Sequence, residues 1–290
     1  MNQNDLHVSH WEHFFSDELM ASLYPTWWDK GTANHWRHER FLEAPLKILN
    51  SPEIKSSSWI TIGDGSGHDT WILRQHGFEN ILTTDIGVGT LSRSLKEGHI
   101  TRYERANAEK LKYDDNSFDF VLCKEALHHM QKPYAAIYEM LRVARKAVVI
   151  IEPQDLYTDL PCMPGPVQPT YENVGNYVYG FSSIEFQKIG YGLNLPAVAT
   201  KNMVDVYIQG CEFHPATDDD PIFRSMKEQV LAAEKGASEG RLKWNYILSI
   251  LFTESGTIKP GESIRDRLND MQWTLAETDK NPYLSKGGSF

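Results

Sequence analysis

The sequence predicts a doubly wound α/β fold, and three observations carry that prediction. Between Ser58 and Ile151, short runs rich in Ile, Val and Phe alternate with helix-length stretches. The runs are apolar throughout, as strands of a parallel sheet covered on both faces must be. One of them flows into Gly63-Asp64-Gly65-Ser66-Gly67 and then into a helical stretch, which is the opening of a βαβ unit.

Taken in order, residues 1–50 read as a helical cap. Leu6, Trp11, Phe14, Phe15 and Leu19 recur near helical spacing up to Pro25, and a second helix covers His35 to Leu49. Its aromatics, among them Trp11, Trp27, Trp28 and Trp36, either pack on a core or wall a pocket. A sheet domain spans 51–256. Its first strands are Trp59–Ile62, Ile81–Thr84, a weaker one at Thr101–Arg105, Phe118–Cys123 and Ala147–Ile151, with helices at 68–76, 88–97 and 132–144. A proline- and tyrosine-rich insert, 153–181, follows the fifth strand; its prolines exclude regular helix, and its length marks a lid, a binding loop or a disordered insert. Helices at 183–191 and 221–235 and strands at 197–208 and 244–252 bring the sheet to seven strands, and 257–290 is a polar tail. Asp218-Asp219-Asp220 before Pro221 reads as a helix cap.

Composition bounds the function. The chain has 290 residues and a net charge of −10, which argues against phosphate-neutralising contact with nucleic acid and against docking on an anionic membrane. No run of about 18 apolar residues is present, and the N-terminus lacks the pattern of a signal peptide, so a cytoplasmic protein is expected. Cys123, Cys162 and Cys211 are too scattered for a disulfide framework or a zinc site, and no protein metal site is expected. His7, His10 and His13 recur on the first helix without a carboxylate to complete a ligand set. Oligomeric state is not legible.

The glycine loop lets the backbone turn sharply and a ligand approach it closely. Asp85, at the end of the next strand, is placed to accept both hydroxyls of a ribose. A dinucleotide fingerprint would need a glycine where His68 stands, which speaks against an NAD-dependent oxidoreductase. Asn107-Ala108-Glu109 comes next. Asp114-Asp115-Asn116-Ser117-Phe118-Asp119 then leads into a strand that exits through Lys124-Glu125-Ala126-Leu127-His128-His129.

In this order of motifs, residues 57–152 resemble the class I S-adenosylmethionine-dependent methyltransferases, particularly those acting on small molecules. The resemblance implies a Rossmann-like sheet and S-adenosyl-L-methionine as cofactor. It places Gly63, Asp64, Gly65 and Gly67 under the methionine part, Asp85 and Ile86 at the ribose, Asn107 and Ala108 at the adenine edge, and Lys124 and Glu125 at the strand end facing the sulfonium. Asn107 stands where these enzymes usually carry aspartate, and Ala144-Arg145-Lys146-Ala147 replaces their usual glycine pair. Arg37 either pairs the methionine carboxylate or makes a surface ion pair.

A hydroxyl acceptor must lose its proton, and histidine suits that task near neutral pH. His129, then His128, with Glu125 in reserve, are the candidate bases; the other reading has both histidines capping the strand. Tyr157, Tyr177 and Tyr179 of the insert are candidate acceptor contacts, since a tyrosine face stacks on a pyranose ring while its hydroxyl bonds sugar hydroxyls. The expected reaction is O-methylation of a small molecule, a saccharide of a surface-glycan pathway first. A phenolic or other secondary metabolite, and a non-catalytic methyltransferase-like binding protein, are the alternatives.

Overall fold

The computed structural model describes residues 3–13, 18–155, 170–172, 176–258, 263–279 and 281. Four helices come first: α1 (Gln3–His13), α2 (Glu18–Trp28), α3 (Ala33–Ile48) and α4 (Pro52–Lys55). Then follow β1 (Trp59–Ile62), α5 (His68–Gln75), β2 (Ile81–Asp85), α6 (Gly89–Lys96), β3 (Tyr103–Arg105), β4 (Phe118–Lys124), α7 (Pro133–Val143) and β5 (Ala144–Pro153). The C-terminal part holds α8 (Ser183–Gly192), β6 (Ala197–Met203), α9 (Pro221–Ser238), β7 (Tyr246–Phe252), α10 (Ser263–Asp270) and β8 (Thr274–Glu277).

The eight strands form one sheet in the order β3-β2-β1-β4-β5-β7-β6-β8. The first five are parallel, and Trp59 sits between Ile81 and Phe120 in register. β7 runs antiparallel to both β5 and β6. Strand residues alternate between two cores, as a period of two requires. Trp59, Phe120, Leu122, Val149 and Ile151 face a core built with Phe41, Leu42 and Leu46 of α3 and Ile72 and Leu73 of α5. Ile60, Val121, Cys123, Val148 and Ile150 face the other, with Ile137 and Met140 of α7 and Phe186 of α8. Each fully buried Leu, Ile or Phe contributes roughly 1.5–3 kcal/mol. α3 is therefore one of the layers that cover the sheet.

The C-terminal tail departs from the sequence expectation. It supplies α10 and an eighth strand, β8, which pairs with β6 along the sheet edge, so the sheet continues past residue 256. Ile264 and Leu268, one turn apart, are buried with Trp273; three apolar residues in a polar background are too sparse to read as a core face. The strand expected at 197–208 stops at Met203, because Asn245 accepts the Asp205 amide at 2.7 Å and Arg40 bonds the Val204 carbonyl, drawing the chain off the sheet. Pro25 lies inside α2, which continues to Trp28. Among the described residues no helix is long and apolar enough to cross a membrane.

Candidate active site

The carboxyl ends of β1, β2 and β4 open into one cleft. Gly63, Gly65, Asp85, Ile86, Ala106–Glu109, Glu125 and Ala126 line it, with Trp11, His129, Met130 and Gln131 at one side. Gly63, Gly65 and Gly67 all have positive φ. A Cβ on Gly63 would sit 2.4 Å from the Cβ of Ala126, whereas one on Gly65 would meet no atom within 4 Å. The first glycine is required for packing; the second leaves bare backbone facing the cleft.

Asp85 ties two strand ends together. One carboxylate oxygen accepts the Gly65 amide at 2.9 Å and the other the Gly87 amide at 2.8 Å. Burial outweighs these bonds and raises its carboxyl to about 6. Asp64 behaves differently. Its oxygens accept the Asp69 and Thr70 amides at 3.0 Å each and the Thr70 hydroxyl at 2.6 Å, so it satisfies the free N–H groups at the start of α5. The structure turns this expected cofactor residue away from the cleft. Asn107 lines the cleft while its side-chain oxygen accepts the Glu109 amide at 2.9 Å, a local turn that uses part of its capacity.

At the end of β4, Glu125 takes a positive φ of 50°. Its carboxylate accepts from Lys124 at 2.5 Å and from the Tyr246 hydroxyl at 2.5 Å, and His38 Nδ1 lies 3.2 Å away. Lys124 Nζ also lies 3.6 Å from Asp69. Burial disfavours the charge on Glu125, but Lys124 and then His38 hold its carboxyl well below the ordinary range. His38 is pushed down to about 4 by burial and the Lys124 charge, so it is neutral. His38 and Tyr246 come from α3 and β7, and no local pattern announces them.

The two adjacent histidines differ. His128 Nδ1 lies 2.6 Å from Glu152, whose other oxygen accepts the amides of Ala126 and Leu127 at 2.8 and 2.7 Å. Glu152 is fully buried. Burial disfavours the charged imidazole, yet Glu152 outweighs it and raises the His128 pKa. His129 lines the cleft, with Nδ1 on Glu172 and the Trp11 ring at 4.8 Å.

Three further expectations are corrected or fall elsewhere. Arg37 grips Asp205 through Nε at 2.9 and 3.0 Å and through a second nitrogen, so its charge is already matched outside the cleft. Tyr177 and Tyr179 pack edge-to-face at 5.0 Å, and Tyr177 against Tyr171 at 6.0 Å; Tyr177 and Tyr179 are partly buried and do not line the cleft. Tyr157 lies outside the described residues. Among the described residues no group of three or more His, Cys, Asp or Glu is arranged to hold a metal ion.

Residues 60–151 match the family model described as a methyltransferase domain. No curated protein matches the chain by sequence. Of the solved structures, the magnesium protoporphyrin IX methyltransferase of Synechocystis PCC 6803 is 11% identical, with 84% of this chain and 96% of that chain covered and a TM-score of 0.50. An S-adenosylmethionine-dependent methyltransferase of Mesorhizobium loti is 19% identical over 72% of this chain and 96% of that chain, with a TM-score of 0.48. The glycine loop, the strand-end Asp85 and the β4 exit all lie within the matched segment, and over it the chain carries a methyltransferase domain of the class I S-adenosylmethionine-dependent kind.

Proposed function

We propose that this protein transfers the methyl group of S-adenosylmethionine to a hydroxyl of a small molecule. The observation that carries the reading is that bare glycine backbone, a strand-end carboxylate and a neutral-to-polar wall at Ala106–Glu109 share one cleft with His129. The residues fit the cofactor. Gly63, which has no room for a Cβ, and Gly65, open to the cleft, leave backbone exposed for the methionine part. Asp85 offers a carboxylate to the ribose hydroxyls, and Ala106, Asn107 and Ala108 wall the adenine. Glu125, which lines the cleft, offers a carboxylate to the ammonium of the amino-acid end, whereas Lys124, expected there too, is buried outside the cleft lining and spends its charge on Glu125 and Asp69. When bound, the sulfonium supplies a methyl group already activated for displacement. The protein's part is then alignment and exclusion of water.

His129 takes the acceptor proton. Its Nδ1 is engaged by Glu172, so Nε2 is the nitrogen available to the acceptor. Trp11 lines the cleft beside it. His128 is held by the buried Glu152 and supports the turn.

The acceptor we favour is a saccharide. Tyr171, next to Glu172, is 61% exposed and offers an aromatic face beside His129's partner. The test is in two steps. Calorimetry with S-adenosylmethionine, S-adenosylhomocysteine and NAD should give 1:1 binding of the first two and none of the third. A panel of nucleotide sugars, oligosaccharides, phenols and fatty acids is then scored by S-adenosylhomocysteine release. Activity confined to phenols or lipids would remove the saccharide reading and leave methyl transfer standing.

A further inference from the structure

We infer that Glu172, supplied by the insert that follows β5, is the positioning residue that fixes the tautomer and orientation of His129, with Asn176 locking the pair. This rests on the reading of His129 as the base.

Two contacts tie the insert to this histidine, and a third joins the two residues that make them. Glu172 Oε1 engages His129 Nδ1. Glu172 Oε2 accepts from Asn176 Nδ2 at 2.7 Å, and the same amide nitrogen donates to the His129 carbonyl at 2.9 Å. Asn176 therefore touches both members, and it is only 2% exposed. The backbone closes the same unit: the Glu172 amide donates to the Asn176 carbonyl at 3.0 Å, and Tyr171 and Tyr177 form an antiparallel bridge around it. Trp11 packs edge-on against the imidazole, with ring centroids 4.8 Å apart, and the His128 ring lies 3.9 Å from it. The ring is thus held at its Nδ1 edge and by two ring neighbours, Trp11 and His128.

The chemistry follows from the acceptor-only nature of a carboxylate. A neutral imidazole carries one N–H and one lone pair, and the nitrogen facing the carboxylate must be the donor. Glu172 thereby places the proton on Nδ1 and the lone pair on Nε2. During transfer the acceptor oxygen forms its bond to the methyl carbon as the carbon–sulfur bond breaks. The acceptor proton passes to Nε2, and the imidazolium so formed faces the Glu172 charge. Burial disfavours that charge, but the His129 contact and the Asn176 amide together hold the Glu172 carboxyl below its ordinary range. Residues 172 and 129 lie 43 positions apart, so the insert and the β4 exit must both be in place before the base is set.

The experiment uses the full chain with ¹⁵N-labelled histidine, saturated with S-adenosylhomocysteine, and reads the two ring nitrogens of His129 by long-range ¹H–¹⁵N correlation. His129→Ala assigns the signals. The wild type should show Nδ1 protonated and Nε2 bare. Glu172→Ala should lose that preference and show tautomer exchange or Nε2 protonated, and Glu172→Asp should recover part of it. S-adenosylhomocysteine affinity should stay within about twofold in each, since Glu172 does not line the cofactor cleft. Once an acceptor is in hand, Glu172→Gln should lower kcat by about tenfold or more, with the KM for S-adenosylmethionine unchanged. A wild type protonated at Nε2, or an unchanged tautomer in both Glu172→Ala and Glu172→Gln, overturns the inference. Loss of kcat in His129→Ala with full kcat in Glu172→Gln overturns the positioning role alone. Full kcat in His129→Ala overturns the base assignment on which it stands.

Discussion

Asp85 makes cofactor affinity depend on pH in a way that can be worked out beforehand. Its carboxyl is buried and raised to about 6, while both its oxygens already accept backbone amides. Ribose hydroxyls are donors here, so they need the ionised form. Affinity is therefore nearly full at pH 7 and above and falls as pH drops through 6, because protonation of the free protein competes with binding. About nine-tenths of Asp85 is ionised at pH 7 and about one-tenth at pH 5. The expected loss is about tenfold, or about 1.4 kcal/mol. Asp85→Asn should remove this dependence. It also puts an amide NH₂ where one of two backbone N–H groups needs an acceptor, and it loses the charge-assisted bonds to ribose, about 2–4 kcal/mol together at pH 7. Calorimetric titration with S-adenosylhomocysteine at pH 5, 6, 7 and 8 and constant ionic strength measures both effects. A flat wild-type profile, or an equal fall in Asp85→Asn, would refute the reasoning.

The other predictions separate residues that serve the cleft from those that serve the fold. His129→Ala should lower turnover by roughly 10²–10⁴ with S-adenosylhomocysteine affinity intact. His128→Ala should instead lower thermal stability, since it strips the imidazole from a fully buried Glu152, at a cost of about 2–4 kcal/mol. Gly63→Ala, forced against Ala126, should destabilise by about 1–3 kcal/mol; Gly65→Ala should cost about 1 kcal/mol of strain and chiefly weaken cofactor binding. Asp64→Ala should cost about 0.5–2 kcal/mol in urea unfolding, because it uncaps α5, and should leave the affinity nearly unchanged.

Most of the parallel half of the sheet was legible because its strands are short, largely apolar and buried runs between turn signals, as at Trp59–Ile62 and Phe118–Lys124. β8 was not, since Thr274–Glu277 is an edge strand with a mixed, half-exposed pattern and pairs only with β6. In the cleft, Asp85, Gly63 and Gly65 stand out in sequence because strand-end position and glycine spacing are local properties. Asp64 misled for a local reason too: it sits inside the glycine motif, but its acceptors are spent on α5. Arg37 misled for a distant one, its partner Asp205 lying 168 residues away. His38 and Tyr246 meet Glu125 only once α3 and β7 pack beside β4, and a one-dimensional pattern does not encode that juxtaposition.

A crystal structure of the full chain with S-adenosylhomocysteine tests the central claim most directly. The ribose hydroxyls should lie on the Asp85 carboxylate, the adenine along Ala106, Asn107 and Ala108, the amino-acid end toward Gly63 and Glu125, and the sulfur within reach of an acceptor held at His129 Nε2. A ligand bound elsewhere, or a ribose that leaves Asp85 without contact, would contradict it.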